Sequence, residues 1–282
     1  MQANDLVKGV SKLFSLPEVC TRLQEMLEDP HHSASDLGKV ISQDPDLTAR
    51  LLKIVNSSFY GFPGRIDTVN RAVTVIGISE LLVLILGASS VMTFNKIPGS
   101  LINMAEFWRH SVYCGVVAKQ LAKRCNVLHH ERLFVAGLLH DVGKLVLCTK
   151  LPEQARIVLA QSYDNEVPLY ELEQNEFGFD HAELGGLLLA NWQLPESLCQ
   201  AITYHHQPGA AATPSIEAAI VHIANAITHL AEDSTTGGSY IDGTDEHAWS
   251  LTRLDRSIAE EVLIDAMPIF DEALDAIVPA RY

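Results

Sequence analysis

The sequence predicts an all-α protein. Apolar residues recur at helical spacing along almost the whole chain of 282 residues. No convincing stretch alternates apolar and polar residues before a two-residue turn with glycine, which is the pattern of a β-hairpin. A hydrophobic content of 48% is sufficient for a large core. We therefore expect one large helical domain or two modest ones.

Helix-start signals mark the first third of the chain. Ser33 or Ser35 precedes DLGKVISQ, and Asp44 followed by Pro45 opens PDLTARLLKIVN in the order of N-cap and then proline. Ser79 is expected to begin ELLVLILGASSVM in the same way. Before it, SSFYGFPGRIDTVNRAV carries glycines and a proline among aromatic residues. This composition predicts a compact loop with packed aromatic side chains.

Later helices are predicted around residues 104–125, 130–149, 152–163, 180–191, 195–205 and 215–231. The polar segment 232–247 is expected to be a surface loop, and a last helix covers about residues 252–277. These boundaries divide the chain into an N-terminal helical block (1–100), a helical core (101–231) and a C-terminal loop with a helix (232–282).

Charge and composition argue against nucleic acid and membranes as partners. The chain has 35 acidic and 20 basic residues, a formal net charge of −15, which disfavours binding to phosphate backbones or anionic lipid. The longest apolar run, residues 81–88, is far shorter than the roughly 20 residues that span a bilayer. No secretory signal is visible at the start. Five scattered cysteines without CxxC spacing indicate neither a disulfide framework nor a zinc knuckle. We expect a soluble, cytoplasmic protein.

The stretch GLLHDVGK places His140 and Asp141 side by side in an otherwise apolar run. A buried charge is costly unless it is paired or bound to a metal, so this pair needs partners elsewhere in the chain. On one continuous helix, His140 would share a face with Gly143 and Asp141 a face with Gly137, so the two side chains would bracket one edge. His110 shares an inward face with apolar residues of its own helix.

Further polar residues could complete a site. FGFDHAELG contains His181, ITYHHQPG contains His205 and His206, and IVHIANAI contains Asn225. Imidazole and carboxylate ligands suit a divalent cation of the zinc, iron or manganese type, and Asp141 could bridge two such ions. Two simpler alternatives are open at this point. The later histidines could lie in water at helix ends or in loops, or Asp141 and the histidines could form a buried hydrogen-bonded network.

The order of these motifs resembles a known family. Along the chain, His110 comes first, His140 with Asp141 second, and a polar residue later. This order is similar to the H…HD…D signature of the HD superfamily of metal-dependent phosphohydrolases. More closely, about residues 15–230 resemble the HDOD family, the HD-related output domain of bacterial signalling proteins. The motifs that carry this resemblance are LLKIVNSSFYGFPGRIDTVNRAVTVIGI, FWRHS, GLLHDVGKLVL, GFDHAELGGLLLANWQLP and AITYHH. The resemblance implies an HD-domain-like helical core with an additional N-terminal helical bundle.

The resemblance also implies residue roles. Three primary metal ligands of the superfamily match His110, His140 and Asp141, and the fourth, normally an aspartate, falls on Asn225. An amide oxygen can coordinate a metal but brings no negative charge, so metal affinity should fall. By likeness to HD-GYP phosphodiesterases, Lys144 would lie near a phosphate. The residues implied for a second metal are His181, His205 and His206.

The segment QPGAAATP after the two adjacent histidines departs from the acidic residue and GYP segment of the HD-GYP enzymes, so cyclic-dinucleotide hydrolysis is not implied. Two functions remain. The first is a regulatory module in signalling that keeps part of the metal site and serves a protein partner, or binds a nucleotide or phosphate ligand. The alternative is a metal-dependent phosphohydrolase that acts on a nucleotide or another phosphate ester, with Asp141 and Lys144 as catalytic residues. The expected cofactor is a divalent metal, iron, manganese or zinc (Fe, Mn or Zn).

Overall fold

The fold is known from a computed structural model. The structure describes residues 2–10, 13–29, 31–58, 60–94, 101–165, 167–232 and 239–278. Within these ranges all regular secondary structure is helical and no strand occurs. The prediction of an all-α fold is therefore confirmed.

The first helices are α1 (Ala3–Val10), α2 (Glu18–Glu28), α3 (Ala34–Ser42), α4 (Pro45–Val55), α5 (Val69–Ile76) and α6 (Ile78–Phe94). Ser33 caps α3 through a capping box, and Asp44 caps α4 with Pro45 as its first residue, so both predicted starts are confirmed. The prediction that Ser79 begins α6 is wrong. Gly77 ends α5 with φ of 90°, which glycine adopts easily, and α6 begins directly after it.

The segment between α4 and α5 is the predicted loop with packed aromatic side chains. Tyr60 and Phe62 stack with ring centroids 5.5 Å apart, which confirms the packing for these two residues. Phe59 lies outside the described residues. The loop is shorter than predicted, because the side chain of Thr68 caps α5, which begins at Val69.

The remaining α-helices are α7 (Met104–Arg124), α8 (Glu131–Leu139), α9 (Val142–Lys150), α10 (Pro152–Asn165), α11 (Leu169–Phe177), α12 (His181–Asn191), α13 (Glu196–Thr203), α14 (Ile216–Glu232), α15 (Ser239–Asp242), α16 (Glu246–Thr252) and α17 (Ile258–Ile277). A single 3₁₀ turn, Pro208–Ala210, lies between α13 and α14.

The predicted helix over residues 130–149 is wrong in one important respect. The backbone turns at His140 and Asp141 and divides the segment into α8 and α9. The two side chains therefore do not lie 100° apart on one helix but approach each other, with His140 Nε2 3.5 Å from Asp141 Oδ2.

Other boundaries also differ from the sequence pattern. The predicted surface loop over residues 232–247 is wrong in part, because α15 and the start of α16 lie within it; residues 233–238 lie outside the described ranges. The pattern does not predict α11, because Glu173 is its one buried residue and no apolar face repeats along it. The predicted last helix from residue 252 is also wrong at its start. Arg253 ends α16 with φ of 57°, and α17 begins only at Ile258.

Helix α7 lies at the centre of the fold. It packs against α8, α14 and α17, and α9 packs against α12. The crossing of α7 and α8 is close: a Cβ on Gly137 would lie 2.7 Å from the Cα of Gly115. Buried apolar residues from Ala3 to Ile277 form one continuous core, and α1 covers α9 and α12. The division of the chain at residues 100 and 231 stays a prediction.

No single helix of the described ranges has the length and apolar content to cross a membrane. Helices α5 and α6 meet those criteria only as a pair, and they are bent by 117° where they join.

Candidate metal centre

Residues from three helices and two turns surround one buried point. His110 comes from α7 and Asn225 from α14, while His140 and Asp141 occupy the turn between α8 and α9. His181 is the first residue of α12, and the two adjacent histidines follow α13. The predicted metal ligands that meet here are His110, His140, Asp141, His181, His205, His206 and Asn225.

The first group of ligand atoms consists of His110, His140 and Asp141, whose atoms lie within 4.8 Å of one another. The rings of the two histidines are 5.3 Å apart, between centroids. Asn225 lies at the side of this group, with its Oδ1 3.0 Å from His110 Nε2. Its amide thus has the position that the resemblance gives to the fourth ligand.

The second group consists of His181, His205 and His206, again within 4.8 Å. The Nε2 atoms of His181 and His206 are 2.8 Å apart, and the rings of His205 and His206 are 3.9 Å apart. His181 and His205 are completely buried. The alternative that these histidines lie in water at helix ends or in loops is therefore wrong for both.

The carboxylate of Asp141 joins the two groups. Its Oδ1 lies 3.2 Å from His181 Nε2 and 3.9 Å from His205 Nε2. Its Oδ2 accepts a hydrogen bond of 2.6 Å from Lys144 Nζ. Lys144, predicted as a catalytic residue, thus lies at the centre as the ion-pair partner of Asp141.

The histidine rings are oriented by hydrogen bonds on their outer sides. His140 and His205 each donate Nδ1–H to the backbone carbonyl three residues earlier, both at 2.7 Å. His181 Nδ1 lies 2.5 Å from a carboxylate oxygen of Glu173, which also accepts from the backbone N–H of His181. A proton held on Nδ1 leaves a lone pair on Nε2, which is the arrangement found in histidines that bind metals.

Burial keeps three of the rings uncharged. It lowers the pKa of His140 to about 3, and it holds the pKa values of His205 and His206 well below the ordinary value. These imidazoles are therefore neutral at physiological pH, as metal ligation requires.

Asp141 is charged although it is buried. Burial alone would raise the pKa of its carboxyl group, but neighbouring His140 and Lys144 hold that pKa well below its usual range. Burial likewise opposes protonation of His181, yet the Glu173 carboxylate raises the pKa of that ring to about 9. The centre without a cation thus contains charges that compensate one another.

Three buried atoms at the centre fit a divalent cation. Among the described residues, His140 Nε2 and His205 Nε2 have no hydrogen-bond partner, and Asp141 Oδ1 has only its 3.2 Å ion-pair contact with His181 Nε2, although buried polar atoms are rarely left without a partner. A network of hydrogen bonds alone does not satisfy them. Metal–ligand bonds of about 2.0–2.2 Å place neighbouring ligands about 3 Å apart around an octahedral ion and about 3.4 Å apart around a tetrahedral one; the 2.8 Å between the Nε2 atoms of His181 and His206 is near the first value.

The sequence pattern missed three polar residues beside the centre. Glu173 belongs to α11, whose sequence gives no helix signal. His229 and Glu232 follow Asn225 by four and seven residues on α14, a spacing that indicates one helix face and could have revealed them. With His110 they form a third group that could hold a metal ion.

Comparison with known proteins places the fold. The HDOD domain model matches residues 13–208. An HDOD domain protein of unknown function from Geobacter sulfurreducens has 24% identity, coverage of 97% of both chains and a TM-score of 0.76. A protein from Shewanella amazonensis, provisionally named a phosphohydrolase, has 23% identity, coverage of 95% of this chain and 97% of its own, and a TM-score of 0.73.

A curated relative gives a partial match. An uncharacterised protein from Treponema pallidum (strain Nichols) is 28% identical over 208 residues, which are 72% of this chain. The chain spans only 39% of the length of that relative. The family model, in contrast, covers well over half of the chain. The chain therefore belongs to the HDOD family.

Proposed function

We propose that the protein is a regulatory module of bacterial signalling that acts on a protein partner, and that its buried centre binds a divalent cation, iron, manganese or zinc. The observation that carries this proposal is a centre with its ligands assembled but short of negative charge. Asn225 replaces the aspartate that is the fourth ligand of the signature, and the remaining carboxylate, Asp141, is already paired with Lys144. Such a centre can hold an ion, but with less electrostatic help than a full HD site.

Limited access to the centre supports binding rather than turnover. His140 and His205 are 0% exposed and Asp141 is 4% exposed. A hydrolase must place a water and a phosphate ester next to its metal, and both would have to reach these atoms. A buried ion would instead stabilise the α8–α9 turn against α12 and α14, and so couple its binding to the shape of the module.

A phosphohydrolase is the second candidate, and one observation favours it. Two groups of ligand atoms share the carboxylate of Asp141, which is the arrangement expected where two ions hold one phosphate. Divalent cations bound there would polarise a phosphoryl oxygen and lower the pKa of a bound water.

The side chains at the centre could support that reaction. Lys144, 22% exposed, could exchange its contact with Asp141 for a phosphate oxygen and stabilise developing charge. Asp141, the carboxylate that the two groups share, would hold the cations that activate the attacking water. Tyr170 stacks on His206 with centroids 4.4 Å apart and limits access on that side.

Metal content tests the binding part of the proposal. Untagged protein that has never met a chelator should contain bound iron, manganese or zinc by elemental analysis, and His140→Ala should lose it. His31→Ala is the matched control, because the His31 side chain is 90% exposed and contacts Asp29 between α2 and α3. Protein that contains no metal, and takes none up from Mn²⁺ or Fe²⁺, would overturn this part.

Turnover separates the two candidates. Metal-loaded protein is assayed with nucleotides and simple phosphate esters, beside Asp141→Ala and Lys144→Ala. The regulatory module is expected to show no turnover above the variants. If the wild-type protein hydrolyses a substrate and both substitutions abolish this activity, the phosphohydrolase is the correct function and the regulatory module is not.

A further inference from the structure

We infer that Glu232 supplies, through His110, the negative charge that Asn225 does not bring to the metal centre. Glu232 would thus be a positioning residue, displaced by two helical turns from the place where the superfamily signature has its aspartate. This inference rests on the metal binding proposed above and goes beyond it, since neither the HD motif nor the predicted ligand set contains Glu232.

The geometry of α14 brings the carboxylate to the correct ring. Asn225, His229 and Glu232 follow one another at intervals of four and three residues, so they share the face of α14 that meets α7. Glu232 Oε2 lies 2.8 Å from His110 Nδ1, and the ring of His229 lies 4.7 Å from that of His110. One face of one helix therefore contacts both nitrogens of His110.

The contact with Glu232 determines which nitrogen of His110 carries the proton and which one directs a lone pair at the centre. An ionised carboxylate only accepts hydrogen bonds, so Nδ1 must carry the proton that it donates to Glu232. In a neutral ring Nε2 then has its lone pair directed at Asn225 Oδ1, which is also an acceptor, 3.0 Å away. A cation that binds both atoms removes this repulsion. Without a cation, the Asn225 amide can rotate so that its NH₂ group faces His110 Nε2, and this also removes the repulsion.

The carboxylate also changes the strength of the ligand. A carboxylate hydrogen-bonded to the outer nitrogen of a ligating histidine raises the basicity of that histidine, and its loss typically lowers metal affinity by about 10–100-fold. The side chain of His110 is 12% exposed and that of Glu232 is 30% exposed, so water screens the Glu232 charge only in part. Asp141 and Glu232 together then provide two negative charges near the ion, although Asn225 provides none.

A titration of chelated protein with Mn²⁺ or Zn²⁺ tests the inference. Isothermal titration calorimetry compares the wild type with Glu232→Gln, Asn225→Asp and the double variant. Glu232→Gln keeps the shape of the side chain and should weaken binding by about 10–100-fold. Asn225→Asp in the same chain should restore affinity to about the wild-type value, because it returns a carboxylate directly to the ion. Glu261→Gln, an exposed glutamate on α17, is the control and should bind as the wild type does.

A spectroscopic readout distinguishes positioning from a structural role. Long-range ¹H–¹⁵N correlation spectra should show His110 protonated on Nδ1 in the wild type and a changed tautomer balance in Glu232→Gln, while the melting of the metal-free forms stays similar. If the wild type binds metal and Glu232→Gln binds it equally well, this inference is overturned but the proposed function is not. A wild type that binds no metal would overturn it together with the proposed function.

Discussion

Substitution of Gly143 by alanine probes the contact that holds the two ligand groups together. Gly143 in α9 lies against the first turns of α12: a Cβ there would be 1.9 Å from the carbonyl oxygen of His181 and 2.9 Å from the backbone nitrogen of Gly185. Both are backbone atoms, so no flexible side chain can move aside. The two helices would have to separate by about 1.5 Å before carbon and oxygen reach an ordinary contact distance.

The cost of Gly143→Ala follows from this clash. Overpacking of a core typically costs about 1–3 kcal/mol, and a rigid backbone neighbour argues for the upper end. The higher helix propensity of alanine returns about 1 kcal/mol, so the net loss of unfolding free energy should be about 2 kcal/mol. For a chain of this size that corresponds to a fall of roughly 4–8 °C in Tm. Separation of α9 from α12 would also move Asp141 away from His181 and weaken metal binding.

Urea unfolding of metal-free protein and calorimetric titration with Mn²⁺ measure both effects. Gly64→Ala is the matched control, since a Cβ at Gly64 has no neighbour within 4 Å and its φ needs no glycine. If Gly143→Ala unfolds and binds metal in the same way as Gly64→Ala, α9 and α12 are not in this contact, and the contact does not hold the two ligand groups together.

Two further substitutions test other parts of the molecule. Glu173→Gln should lower the unfolding free energy by about 1–3 kcal/mol in urea, because the His181 ring and backbone lose a charged acceptor; an unchanged midpoint would contradict this. Burial lowers the pKa of Lys119, which lies over the ring of Tyr60, to about 7, whereas in the unfolded chain it is about 10.4. Between pH of about 7 and about 10.4, Lys119 is protonated in the unfolded chain but not in the folded protein. As the pH rises through this range, the free energy of unfolding of the wild type should therefore increase relative to that of Lys119→Met, by up to about 1.4 kcal/mol per pH unit. Urea unfolding at several pH values would refute this if the difference were constant.

Local signals in the sequence were sufficient for the capped helices. The Ser33 and Asp44 caps need only residues three positions away. The break at His140 could not be predicted, because apolar residues continue in phase through α8 and α9. The turn depends on the packing of Gly143 against α12, a contact 38 residues distant along the chain between Gly143 and His181.

For the candidate site, the residue types could be predicted but not their partners. Motif order and resemblance indicated seven candidate ligands and Lys144. The structure brings these side chains together, and their role in metal binding stays a prediction. The partner of His181 could not be inferred, because Glu173 lies on a helix that has no apolar repeat. Glu232 is different in kind. Its spacing from Asn225 is visible in the sequence, but its contact with His110 follows only from the packing of α14 against α7.

Charge balance at the centre predicts one tightly bound ion rather than two. Asp141 is the sole carboxylate among the seven predicted ligands, and the Lys144 ammonium group opposes its charge at 2.6 Å. With the Glu232 carboxylate on His110 and the Glu173 carboxylate on His181 included, one divalent cation leaves a net charge of about 0, and a second would raise it to about +2 in a buried region where repulsion is strong.

Uptake of Mn²⁺ by the wild type should therefore level off at about one equivalent. Asn225→Asp lowers the positive charge by one and should allow a second ion to bind more tightly than it does in the wild type. Equilibrium dialysis with elemental analysis measures both values. Two equivalents held with similar affinity by the wild type would show that charge does not limit this centre and that Glu232 has no charge deficit to compensate.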